Sequence, residues 1–185
     1  MAIVASGANA SLIVWTPNIE IPNTSGGIYF NVETKTTGIN SSLVYGWDLN
    51  PFGTSTTELK WYAPLQGGSV VGLGSNGVNL GVANLPHFTT IGPSSFFGIS
   101  ASSVQSGGWE LNAANLFGFQ FKNNAFETNY GYGIILIGAN MGVRKMVSLV
   151  YESNGSAITI PPGIPTPSAM PLLALWGFVK RRRRS

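Results

Sequence analysis

The sequence predicts an all-β domain, and three observations carry the prediction. Apolar and polar residues alternate with a period of two, most clearly over residues 27–34 and 116–122, as they do when a pleated strand sends successive side chains to opposite faces. No stretch of the body shows the 3.6-residue period of an amphipathic helix. The 24 glycines and 11 prolines cut the chain into short apolar runs separated by turn signals at roughly even spacing. Such runs are expected to assemble into an antiparallel β-sandwich of jelly-roll type over residues 11–160. Charged residues make up 9% of the chain and hydrophobic ones 44%, the reverse of a disordered composition. The 185 residues, less a tail, allow one domain of about 150 residues with a two-layer core.

The first expected strand is Leu12-Ile13-Val14-Trp15, stopped by Thr16-Pro17. In residues 27–34 the side chains of Ile28, Phe30 and Val32 point to the core, and those of Tyr29, Asn31 and Glu33 point away. A strand over residues 43–49 then runs into an Asn50-Pro51 turn, with Asp48 and Asn50 facing outward and their oxygens serving the turn backbone. Residues 58–62 form a strand that places Glu58 and Lys60 on one face. The match of residues 72–77 to G-x-G-x-x-G carries no weight, because no βαβ unit surrounds it. Residues 79–105 read as short strands and long loops.

The strongest strand is Leu116-Phe117-Gly118-Phe119-Gln120-Phe121-Lys122, with three phenylalanines on one face. Asn123-Asn124 turns the chain into residues 130–138, a strand apolar enough to be buried on both faces. Val147, Leu149 and Tyr151 share a face of the next strand, and residues 157–160 close the sheet.

Titratable chemistry is sparse. There is no cysteine, hence no disulfide, thiol nucleophile or Cys-ligated zinc. The lone His87 makes neither a triad nor a metal cluster and reads as a polar loop or strand residue. The carboxylates Glu20, Glu33, Asp48, Glu58, Glu110, Glu127 and Glu152 show no catalytic signature, although two of them at the right spacing would suffice for a glycosidase. The expectation is a non-enzymatic domain without cofactor or metal. The alternative is a carbohydrate-binding module that stacks sugars on an aromatic face, with Trp47, Trp61 and Trp109 as the candidate platform.

Both ends read differently from the body. Residues 1–10 end in Ala8-Asn9-Ala10, a small-x-small pattern, and read as the remnant of a signal peptide whose true start lies upstream. In residues 161–185 a proline-rich spacer leads to the uncharged run Leu172-Leu173-Ala174-Leu175-Trp176-Gly177-Phe178-Val179 and then to the cations Lys180, Arg181, Arg182, Arg183 and Arg184. Prolines fix φ and remove N–H donors, so the domain is expected to end near Ile160. A helix over residues 169–179 would be about 16 Å long, roughly half of a bilayer's hydrocarbon core, with the cations on the cytoplasmic side. Five of the ten Lys and Arg lie in this cluster, so the remaining five face seven Asp and Glu and leave the rest of the chain at −2. A basic nucleic-acid surface on the body is therefore not expected.

The order of proline motif, apolar run and basic cluster resembles the PEP-CTERM sorting signal of Gram-negative bacteria, with Pro165-Thr166-Pro167 in the place of the usual Pro-Glu-Pro. The resemblance extends through Gly46-Trp47-Asp48-Leu49, Tyr130-Gly131-Tyr132-Gly133 and Tyr151-Glu152, which are similar to the bodies of PEP-CTERM domain proteins, with Tyr132 in the place of a common Trp. It implies an exported protein, anchored transiently in the inner membrane and cut near the proline motif by exosortase, a membrane protease. Its destination would then be the cell surface or an extracellular polysaccharide matrix. Such bodies carry no shared activity, so the resemblance implies none.

Overall fold

A computed structural model describes residues 11–64, 67–73, 80–98, 100–104 and 108–163. Fifteen strands occupy the described residues: β1 Leu12–Trp15, β2 Ile19–Glu20, β3 Tyr29–Asn31, β4 Thr36–Gly38, β5 Asn50–Phe52, β6 Glu58–Tyr62, β7 Ser69–Leu73, β8 Leu80–Val82, β9 Thr90–Ile91, β10 Phe97–Gly98, β11 Ser100–Val104, β12 Ala113–Lys122, β13 Thr128–Ile137, β14 Arg144–Glu152 and β15 Ile158–Thr159. A single 3₁₀ turn over Ser41–Leu43, capped by the Asn40 side chain, is the helical element among them. The protein is all-β, as its alternation predicts.

The main sheet runs β1-β14-β13-β12-β7-β8-β11-β6-β5, with β2 on β14 and β10 on β7. Its centre is the antiparallel trio β12, β13 and β14, paired over nearly their whole lengths. The β8 and β11 strands run parallel, so the sheet is mixed rather than antiparallel throughout. It also curls: β6 and β12 are four places apart in the strand order, yet Trp61 of β6 and Phe117 of β12 pack with ring centroids 4.6 Å apart. The β3–β4 and β9–β15 pairs form separate two-stranded ladders, so residues 157–160 do not close the main sheet as expected but pair with β9 alone.

The centre is buried on both faces, on one by the curl and on the other chiefly by the β9–β15 ladder. Phe117, Phe119 and Phe121 share the larger core with Phe30, Leu49, Leu59, Trp61, Ile135, Met146 and Leu149. On the opposite face Leu116, Tyr130, Tyr132 and Val150 pack against Val71, Leu85, Ile91, Ile158 and Ile160. Ile28, Phe30 and Val32 are buried as their alternation predicts.

Four local expectations are corrected. No strand spans residues 43–49: a 3₁₀ turn ends at Leu43, the chain then loops, and only Leu49 bridges to Phe30. Asn50-Pro51 is not a turn but part of β5, whose place at the sheet edge suits a residue with no N–H to donate. Asp48 and Asn50 do not face outward: both are buried, and Asn50 Nδ2 donates to Gly26 O and Ile28 O at 2.9 and 3.0 Å. Val147 does not share the face of Leu149 and Tyr151. Ile134 pairs with Ser148 and Ile135 with Met146, so Val147 is the extra residue of a β-bulge. Beyond it the parity flips, and Met146 rather than Val147 enters the core fully buried.

Candidate functional site

The described residues form an open cleft of about 690 Å³ at one end of the curled sheet. Its walls come from the segment after β3 (Asn31, Glu33, Thr34), the segment before β5 (Tyr45, Gly46, Trp47, Asp48), Pro64 and Gly68, and the β12–β13 turn (Lys122, Asn123, Asn124, Phe126).

The backbone of these walls is held by side chains. Asn31, expected to point outward, is buried, and its Nδ2 donates to Tyr45 O and Gly46 O at 2.9 and 3.0 Å while its Oδ1 accepts from Thr34 N at 2.8 Å. Gly46 takes φ +66°, a conformation that costs glycine little, and so allows the chain to reverse between Tyr45 and Trp47. Asp48 Oδ2 accepts from Val32 N at 2.8 Å, and Glu33 Oε2 accepts from Asn124 N at 2.8 Å, joining the first wall to the β12–β13 turn. Within that turn Asn123 Oδ1 accepts from Ala125 N and Glu127 N at 3.0 and 2.9 Å. Gly68 lies so close to Asp48 that an added Cβ would sit 2.0 Å from Asp48 O.

Burial pushes the Asp48 carboxyl up to about 7; the Val32 amide pulls it down and the Glu33 charge pushes it further up. The Tyr151 hydroxyl is raised by burial first and then by Glu33 and Asp48, so these three groups share one field. Among the described residues no group of three His, Asp or Glu is placed to hold a metal ion.

Three aromatic side chains border the polar floor. Tyr45 is 96% exposed, Phe126 is 80% exposed, and Trp47 is half-buried. Trp47 is supported from behind by Tyr29, edge to face at 5.0 Å, and flanked by Tyr62 at 5.9 Å. Phe126 sits at φ +63°, a left-handed conformation that is costly for a bulky residue.

The structure does not bring Trp47, Trp61 and Trp109 together as a platform. Trp61 and Trp109 are core residues, each 1% exposed. Their indole N–H groups donate to Ser103 Oγ at 2.7 Å and Val82 O at 2.6 Å, the usual way to bury a tryptophan without stranding its donor. Trp47 alone of the three reaches the cleft. Sequence reasoning missed Tyr45 and Phe126 as site residues, Tyr45 because its segment reads as part of a strand; the signal available was its position directly before Gly46, a residue that favours a turn.

His87 lies in a turn with its Nδ1 2.9 Å from Pro161 O, a loop residue as expected. Glu58 and Lys60 share a face of β6 and approach to 4.0 Å. The sorting motif Pro165, Thr166 and Pro167, the apolar run Leu172 to Val179 and the cations Lys180 to Arg184 lie outside the described residues, as do residues 1–10. Among the described residues no helix is long and apolar enough to cross a membrane. No family model matches the chain, and neither a curated protein nor a solved structure is significantly similar to it.

Proposed function

We propose that this chain is an exported, non-enzymatic cell-surface or extracellular-matrix protein, and that residues 161–185 are a PEP-CTERM-like sorting signal. On this reading the signal is held in the inner membrane of a Gram-negative-type bacterium and processed there by an exosortase-type protease. The supporting observation is the manner in which the folded part gives way to that segment. Ile160 is fully buried and its N–H donates to Thr89 O at 3.0 Å, whereas Pro161, Pro162 and Gly163 are exposed. A removable address requires this: a spacer that leaves the surface after the last core residue, followed by an apolar run and a basic stop. The body is read as a distorted sandwich of jelly-roll type, its halves facing each other at Trp61 and Phe117.

The non-enzymatic reading rests on how the cleft uses its acids. Glu33 and Asp48 each accept a backbone N–H that fixes a wall, so both act as clips of the loop architecture. Incubation with polysaccharide should release no reducing ends; release abolished by Asp48→Asn would make the protein a hydrolase.

The sorting reading is tested by expressing the chain behind an export signal in a host with an exosortase and weighing the mature product. The expected mass lacks Lys180 to Arg184. A surface-located product that retains all five cations would sink the proposal. Replacing Arg181 to Arg184 by serine should impair retention and leave the melting of the body unchanged.

A further inference from the structure

We propose that the cleft bounded by Tyr45, Trp47 and Phe126 binds a neutral pyranose chain. The site differs from the platform expected from sequence, of which it keeps only Trp47. Three observations converge on it.

The first is the presentation of the rings. An aromatic 96% exposed on a loosely held loop would be unremarkable, but the carbonyls of Tyr45 and Gly46 are both clamped by the buried Asn31 amide. Phe126 is likewise held at φ +63° in a turn whose amides are satisfied by Asn123 and Glu33. A position that asparagine or glycine would fill at lower cost is occupied by an exposed phenylalanine, so the strain supports a ring directed to solvent. Loops whose backbone is already fixed need not be ordered when a ligand arrives, which lowers the entropy cost of binding.

The second is composition. The cleft is not an apolar groove of the kind that seats a helix. Glu33, Thr34, Lys122 and Asn124 line the same cleft and supply donors and acceptors suited to hydroxyl groups. Sugars present flat C–H faces edged by hydroxyls, which match aromatic surface beside polar side chains, and about 690 Å³ lies within the range of small-molecule sites.

The third is charge. Glu33 offsets Lys122 in the cleft, the buried Asp48 adds negative charge only as it ionises near pH 7, and the chain without its basic cluster formally carries −2, so no net positive charge draws a polyanion such as a uronate polymer and neutral chains are left.

The test uses the full chain in a zwitterionic, sugar-free detergent, titrated separately with cellohexaose, mannohexaose and chitohexaose and followed by calorimetry and tryptophan fluorescence. At least one should bind with a Kd of about 1 mM or tighter. Tyr45→Ser and Phe126→Asn should each weaken that binding by about tenfold or more while melting stays the same or, for Phe126→Asn, rises. Trp47→Ala should remove most of the fluorescence response. Absence of binding by all three oligosaccharides at about 10 mM overturns the proposal, and so does binding that Tyr45→Ser and Phe126→Asn leave unchanged. A protein partner captured through the same rings without sugar binding also counts against it. None of these measurements involves export or processing, so their failure leaves the sorting proposal standing.

Discussion

Gly133 stands directly opposite Phe117 in the β12–β13 ladder, and the phenylalanine ring lies over the space a side chain would fill. A Cβ on Gly133 would come within 2.3 Å of Phe117 Cε1 and Cζ and 2.9 Å of Leu149 Cδ2. Gly131 and Phe119 repeat the arrangement two residues away. The glycines are thus receptors for the rings that fill the core. Gly133→Ala should destabilise the fold by about 2–3 kcal/mol through overpacking. Gly26→Ala, whose nearest neighbour would be Ile39 O at 4.0 Å, should be neutral or slightly stabilising in the same urea titrations. Equal effects at the two positions would refute the packing account.

Asp48 makes stability depend on pH in an unusual direction. Its folded value of about 7 lies above the ordinary 3.8, so between these limits the folded state holds the proton more tightly than the unfolded one. Its contribution is therefore fully favourable below about pH 4 and is lost as pH rises towards and through about 7. At 1.36 kcal/mol per pH unit the difference is worth roughly 4 kcal/mol. Asp48→Asn keeps an oxygen to accept from Val32 N and removes the charge, so the variant should be more stable than the parent at pH 8 and no more stable at pH 4. Parallel melting curves of the two across that range would contradict the assignment.

Arg144 fastens three separated segments from a fully buried position. Its guanidinium donates to Met141 O at 3.0 Å, Pro22 O at 3.2 Å and Gly53 O at 2.5 Å, and burial lowers its pKa. Arg144→Met should cost roughly 3 kcal/mol, because the hydrophobic stem is preserved but three carbonyls lose their donors. Arg144→Lys, with a charge but no planar fork, should fall between the two in denaturant midpoint.

Asn31 joins segments 14 and 15 residues apart in the chain. Asn31→Ala should cost about 1–3 kcal/mol and speed amide exchange at Thr34, which loses its acceptor. Unchanged exchange there would mean the loop is held by other contacts.

The strands were legible where one face is buried and the other is not, or where a run is apolar throughout. Phe117, Phe119 and Phe121 share a face because the strand period is two, whatever they pack against. The same rule failed at Val147, where a bulge shifts the parity. A bulge depends on the neighbouring strand, which is not encoded locally. The Asn50-Pro51 turn failed for a related reason: its composition is that of a turn, and only an edge position in the sheet makes the same residues a strand.

The all-β character, the phenylalanine face of the central strand, and the order of spacer, apolar run and basic cluster after the last strand are written in the residues alone. These are properties of composition, period and order, which each segment carries alone. Which aromatics are core and which are surface is set by the closed fold. Trp61 and Trp109 vanish into the interior because the sheet curls β6 onto β12, while Tyr45 and Phe126 are left outside because Asn31 and Asn123 fix their loops. Those outcomes depend on contacts between residues far apart in the chain, so the cleft and the raised Asp48 carboxyl exist only once the fold has closed.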